Sequence, residues 1–445
     1  MTQPLTRRFA NWSVGLDLTN IPDSVLNAAR QAIFDTIGVT TAGVAHKGVE
    51  LLGKTHGNGS GKCSLVTGRF GSPTEAALIN GTAAHAWDFD DTSYTGIMHG
   101  STIVFPAVLA VAQELDCDED ELLTAFVVGS EITYVLADIC THDHYFTGWF
   151  SSATFGLIGA TVACAKLYGL DATQTAYATG FAAAAAGVCR CLFGTDAKPY
   201  LIGETAKRSI EMALAAQSGL TGPVNAFEDK NGYFALLNKG AADLSQTDTL
   251  GERWRMVDPG LLFKTSPVCS AAHAAIDQTT QLIKRTDASA SDIESIEAYV
   301  PELVDISLVN DYPIEPQQAQ FSMPYALACA VLHGRVRLQD LTVQEVTSPT
   351  KVELMKKVKK IVDPDLSMDE MRARYPESAR IKLMLKDGRS VEGFRGSAYG
   401  MPDNPLSIPD LSNKFTECVQ FGKGREVQAS PTDKNILELA KQCFA

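Results

Sequence analysis

The sequence has little by way of long apolar runs: the stretch that reads as most apolar, Ala178 to Val188, is too short and too rich in alanine and glycine to span a bilayer. Basic residues are in deficit too, with 38 Lys and Arg against 52 Asp and Glu and a formal charge of -14. That balance excludes nucleic acid as a partner, because phosphate binding needs clustered cations over a wide face. The one basic run, Lys356-Lys-Val-Lys-Lys360, reads as a solvated helix face, so an anionic substrate requires a few cations focused in one cleft. Ten cysteines are present without a C-x-x-C pair or a zinc-like His/Cys spacing, which points to reduced thiols in a cytoplasmic protein. The first residues, Met-Thr-Gln-Pro-Leu-Thr-Arg-Arg, lead into no apolar signal-peptide core. Gly57-Asn-Gly-Ser-Gly-Lys-Cys63 is not a phosphate loop, since His56 stands at the first glycine position and Cys63 where Ser or Thr is needed. A turn before a short strand at 63–66 fits those residues better.

What is there is a chain of 445 residues, too long for one ordinary core, with the composition of a globular enzyme. Helical periodicity dominates residues 22–218. It gives helices over 22–44, from a capping box at Ser72-Pro-Thr-Glu75, over 103–115, over 119–141 from a second box at Asp118 and Glu121, and over 153–168, 172–192 and 203–218. The Ala178–Gly187 run has almost no bulk, which suits the centre of a helical bundle. The pattern changes near residue 268. After a helix over 268–283, residues 293–300 read as a strand, and 379–385 with 390–394 as a hairpin turning at Asp387-Gly388. Helical pieces over 321–332 and 350–362 lie between them, and a helix over 408–420 returns to the earlier character. The expectation is a mainly α protein: a large helical domain (1–267, rejoined by 402–445) with an inserted smaller α+β domain (268–401).

The densest group of ionisable residues is His85-Ala-Trp-Asp-Phe-Asp-Asp-Thr92, continuing to His99-Gly-Ser101. A core tolerates such density only where the groups are paired or used. If the helix that starts at Ser72 continues, His85, Asp88 and Thr92 share a face, and Gly96 and Gly100 let the chain swing His99 back toward it. The alternative is a charged, solvated loop.

The chain resembles the MmgE/PrpD family, which includes 2-methylcitrate dehydratase, cis-aconitate decarboxylase and iminodisuccinate epimerase. The similarity covers nearly the whole chain and rests on Asn80 to Thr92, His99-Gly-Ser101, Gly148-Trp149, Lys198-Pro199, Lys264 to Asp277 with His273, and Phe321-Ser-Met-Pro-Tyr325. It implies a homodimer with its active site in the cleft between domains, and no metal or organic cofactor. Two positions depart from the pattern: Phe150 and Leu201 stand where the dehydratases and decarboxylases carry histidine. A dehydratase must protonate a leaving hydroxyl, so losing two imidazoles favours a reaction that only removes and returns a proton. The resemblance then implies epimerisation of a small polycarboxylate, iminodisuccinate being the named guess, with dehydratase or decarboxylase chemistry as the alternative and a catalytically silent binding protein as a third reading.

The residues suggest roles. Lys198, in Thr195-Asp-Ala-Lys-Pro-Tyr200, is the leading proton-transfer group, against the alternative of a surface lysine past a helix end. Tyr145, in a polar aromatic loop, suits a proton donor or carboxylate contact. His99 suits acid, base or anion binder, with Asp88 and Asp91 orienting it or Lys198. His273, Lys264, Arg208, Tyr325 and Thr92 are the candidates for holding the substrate. His142, Asp143 and His144 are too close in sequence to converge on one metal ion.

Overall fold

The computed structural model describes residues 3–56 and 60–445, so most of the glycine-rich turn weighed against a phosphate loop lies outside the described residues. The fold is mainly helical. Seven helices form its body: Asp23–Gly43, Pro73–Ala84, Ser101–Leu115, Glu119–Cys140, Ser151–Leu167, Ala172–Ala185 and Ala197–Gln217. Both capping boxes form, at Ser72/Glu75 and at Asp118/Glu121. Glu119–Cys140 is apolar and long enough to cross a bilayer by length and composition, yet 94% of its apolar window is buried against its neighbours. The helix itself was expected over 119–141; what the sequence reading misjudged is which stretch is most apolar, naming Ala178–Val188 instead.

The Pro73–Ala84 and Ala197–Gln217 helices cross where Gly81 meets Gly203. A Cβ on Gly203 would lie 2.1 Å from the Leu78 carbonyl oxygen, so only glycine permits this approach. The crossing has a consequence at one end of the pair. It brings Lys198, in the first turn of one helix, beside His85, the residue that follows the other.

The C-terminal helices Ile408–Lys423 and Ile436–Phe444 pack on Asp23–Gly43, where Phe415 stacks on Phe34 with ring centroids 4.3 Å apart. A four-stranded sheet, ordered Val358–Val362, Ile293–Val300, Ala379–Leu385, Ser390–Arg395, is covered by helices His273–Thr286 and Met323–His333. Its first pair is parallel and the others antiparallel. The helix expected over 350–362 ends at Met355, and Val358–Val362 is the sheet's edge strand. Nor is the basic run a solvated helix face: Lys357 donates to the Ile293 carbonyl (2.7 Å) and Lys360 to that of Leu308 (2.6 Å). The helix expected over 172–192 stops at Ala185. The Leu5–Gly15 and Ile436–Phe444 helices were not read from the sequence.

Candidate active site

Three backbone features assemble the site. The helix that begins at Ser72 stops at Ala84 rather than running on through Thr92, and Asp88 takes a left-handed backbone (φ 49°) that no continuing α-helix contains. Residues 85–91 therefore form a compact buried loop. Thr92–Ser93 then pairs antiparallel with Leu261–Leu262, which delivers Lys264 to the same place. Gly96 has the positive φ expected of it (103°), but Gly100 does not turn the chain; it is needed because a Cβ there would lie 2.7 Å from the Tyr134 hydroxyl.

Two carboxylates, Asp88 and Asp90, organise the cluster. Asp88 Oδ1 accepts from Lys198 Nζ (2.7 Å), and Lys264 Nζ lies 3.2 Å from Oδ2 while donating to the Asp88 carbonyl (2.7 Å). Burial pushes the Asp88 carboxyl up, but Lys198 and then Lys264 outweigh it and hold the group ionised. Asp90 lies 2.9 Å from His85 Nδ1 and 2.8 Å from His99 Nδ1. Burial opposes its charge as well, and the two imidazoles overcome it.

These partners fix the imidazole tautomers. His85 is buried, which pulls it down to about 4 and leaves it neutral, with Nδ1–H facing Asp90. Its Nε2 therefore accepts from Lys198 Nζ at 2.5 Å. His99 Nδ1 faces two acceptors, Asp90 and the Asp91 carbonyl (3.0 Å), so it too carries the hydrogen. That leaves His99 Nε2 without a close partner, 3.8 Å from Asp88 Oδ1. The His99 side chain is 13% exposed against 5% for Lys198 and 2% for Asp88, so the His99 edge is the part of the cluster that solvent reaches most readily.

Thr92 Oγ1 touches His99 Nδ1 at 3.4 Å, and the backbone N–H of His99 donates to Ser152 Oγ at 3.0 Å. His273 is fully buried behind Lys264, its Nε2 accepting from the Ser266 N–H; burial and then Lys264 push it down to about 3. Tyr145 is buried with its hydroxyl 3.1 Å from Ser307 Oγ, and burial raises it to about 12. Three expected residues take other places. The Asp91 side chain accepts from Ser101 Oγ at 2.8 Å, and burial beside Asp35 and Asp90 raises it well above the usual carboxylate range. The orienting carboxylate is its neighbour Asp90, which the sequence did not mark out. Arg208 donates to the Ala185 carbonyl (3.0 Å) ten residues along the helix from Lys198, about 15 Å away. Tyr325 donates to the Asp340 carbonyl, with Lys351 3.3 Å from its hydroxyl, inside the second domain's core.

His85, Asp88, Asp90 and His99 also offer ligand atoms within 4.8 Å of one another, the one such group among the described residues. Lys198 Nζ already fills the space between His85 Nε2 and Asp88 Oδ1, which an ion would need. In the other histidine-rich loop, His142 Nε2 faces the Tyr94 carbonyl and His144 Nε2 faces Thr154, so those residues do not converge.

The MmgE/PrpD N-terminal domain family model matches residues 7–244, and the C-terminal domain model matches residues 266–434. The chain belongs to the MmgE/PrpD family. Cis-aconitate decarboxylase of Mus musculus is 29% identical over 432 residues, covering 93% of this chain and 86% of that protein. The Homo sapiens cis-aconitate decarboxylase is 27% identical over 430 residues, 93% and 88% of the two chains. The Aspergillus terreus protein of that name is 23% identical over 478 residues, 98% and 95%. Within this MmgE/PrpD chain, Phe150 does face the cluster. Its ring is 6.3 Å from that of His85, and Lys198 Nζ sits 5.8, 5.6 and 5.2 Å from the centroids of Phe150, Phe193 and Phe321. Three aromatic rings thus surround the amine with apolar surface. Leu201 is half-buried, and its carbonyl accepts from Thr205 within the helix.

Proposed function

We propose that this protein is a lyase that acts on a small polycarboxylate by acid/base chemistry, with decarboxylation of a cis-aconitate-like tricarboxylate as the leading form. One observation carries the reading. Lys198 Nζ and His99 Nε2 bear on the same oxygen, Asp88 Oδ1, at 2.7 and 3.8 Å, and so lie side by side, able to meet one bound molecule together. Decarboxylation asks for just such a pair. The bond between a carboxylate and its carbon breaks, carbon dioxide leaves, and the electron pair stays on carbon, spread into the neighbouring double bond and carboxylate. One proton then completes the product. His99 Nε2 takes that proton from solvent on its bare lone pair and passes it to the carbon, and Lys198 holds a substrate carboxylate through its remaining N–H.

Phe150 and Leu201 stand where the resemblance implies histidine in dehydratases and decarboxylases alike; the decarboxylation steps need one proton donor, which His99 supplies, whereas a dehydratase must also protonate a departing hydroxyl. Epimerisation, expected from the sequence, needs proton-handling groups on both faces of one carbon. The relatives named above are decarboxylases, which adds to the case for the lyase reading. Phe150 is the observation that keeps epimerisation as the second reading, because an apolar neighbour suits any reaction that moves only a proton.

The test is to incubate the protein in deuterated water with cis-aconitate, 2-methylcitrate and iminodisuccinate, following composition by NMR and trapping carbon dioxide. Release of carbon dioxide from cis-aconitate, with one deuteron entering the product, supports the proposal. Exchange of an α-hydrogen without change of composition would replace it with epimerisation, and loss of water from 2-methylcitrate with dehydration.

A further inference from the structure

We propose that Arg190 grips the carboxylate on the substrate's central carbon; this rests on reading the His99–Lys198 pair as a polycarboxylate site. The Arg190 guanidinium lies over the Tyr145 ring, 4.2 Å from its centroid. Stacking on Tyr145, whose hydroxyl also draws on the guanidinium, fixes the plane of the fork. Among the described residues, the buried Nη1 has no hydrogen-bond partner. A charged donor left bare inside a protein is costly unless something occupies it for part of the working cycle, and a carboxylate is the acceptor that matches a guanidinium edge.

The backbone holds this arginine beside the cluster. Its N–H donates to the Gly148 carbonyl (2.8 Å), and the N–H of Phe150 donates to Val188 (2.8 Å), so 188–190 runs alongside 148–150. Phe150, on one of these segments, and Phe193, three residues past the other, face Lys198. The Tyr145 hydroxyl meets Ser307 from the second domain. Close by on that domain is Asn310, whose Nδ2 is also buried without a partner among the described residues. That amide would lie 3.2 Å from a Cβ on Gly194, four residues beyond Arg190. Arg190 and Asn310 thus offer bare buried donors, one from each domain, near the Tyr145–Ser307 contact. Neither Arg190 nor Asn310 stands in a charge-rich stretch, and the sequence singles out neither.

Calorimetry with two unreactive ligands tests the assignment: propane-1,2,3-tricarboxylate, and glutarate, which lacks its central carboxylate. The wild type should bind the tricarboxylate more tightly. In R190Q that preference should shrink by 10- to 100-fold through weaker tricarboxylate binding alone, and R190K should recover part of it. Equal weakening for both ligands, or no change in a variant that melts like the wild type, would overturn the role of Arg190 alone. A wild type that binds neither ligand would overturn the polycarboxylate reading, and this inference with it.

Discussion

Replacing Asp90 with asparagine tests the organisation of the site with one isosteric change. Asp90 is fully buried and is the shared acceptor for His85 Nδ1 at 2.9 Å and His99 Nδ1 at 2.8 Å. An amide offers one oxygen and one NH2 group, so one of the two Nδ1–H groups would meet a donor. That imidazole has to change tautomer. If it is His85, a hydrogen moves to Nε2 and points at Lys198 Nζ, now 2.5 Å away. If it is His99, the free Nε2 lone pair is lost. A hydrogen bond to a charged group contributes about 1.5–3 kcal/mol. Losing one or both of these in the transition state lowers kcat/KM by roughly 10- to 10⁴-fold, with about 10²–10³ the expected value. Turnover of cis-aconitate measures this, and ¹⁵N NMR of the imidazoles measures it without turnover. The wild type should show Nδ1–H at both histidines and Asp90→Asn an Nε2–H at one of them. Unchanged tautomers with activity within threefold of wild type would refute the reasoning.

The neighbouring change, Asp91→Asn, should leave activity within a few-fold, because that side chain faces Ser101 and not the imidazoles. Burial raises the folded Asp91 carboxyl, so the folded state holds a proton that the unfolded chain releases above about pH 4, and stability falls as pH rises through that window. Asp91→Asn removes the penalty, so its melting temperature should gain on wild type as pH rises from 4 toward neutrality; a gain on acidification instead would contradict the assignment. Gly203→Ala should lower both melting temperature and activity, since its methyl meets the Leu78 carbonyl at 2.1 Å and has to part the helices that bring Lys198 to His85. Lys414→Met should cost about 3–5 kcal/mol in chemical denaturation, because Lys414 is 2.7 Å from the buried Asp35; adding Asp35→Asn should recover part of the loss, and a purely additive double variant would show the pair to be uncoupled.

The helical body was largely legible because capping boxes and a 3.6-residue period are local properties: Ser72, Asp118 and the apolar face of Asp23–Gly43 announce themselves. Asp88, His99, Lys198 and Lys264 were legible as chemistry, through charge density and the family resemblance, and the structure gathers them. The choice between Asp90 and Asp91 was not. Both sit in one Asp-Asp pair, and which faces the imidazoles depends on the left-handed turn at Asp88 and on the helix ending at Ala84. Arg208 and Tyr325 were misplaced for a related reason. Their residue types suit anion binding, but the helices that carry them turn them toward a carbonyl and toward Asp340 and Lys351. Val358–Val362 hid in a lysine-rich segment that an exposed edge strand tolerates as well as a helix does.

The proposed chemistry depends above all on His99 Nε2 and Lys198 Nζ meeting one bound substrate together. A crystal structure with an unreactive tricarboxylate tests it most directly. The expected result is a carboxylate on Lys198 Nζ and a ligand carbon within about 3.5 Å of His99 Nε2, the reach of proton transfer. A tricarboxylate bound elsewhere, with the His99 edge empty, would contradict it.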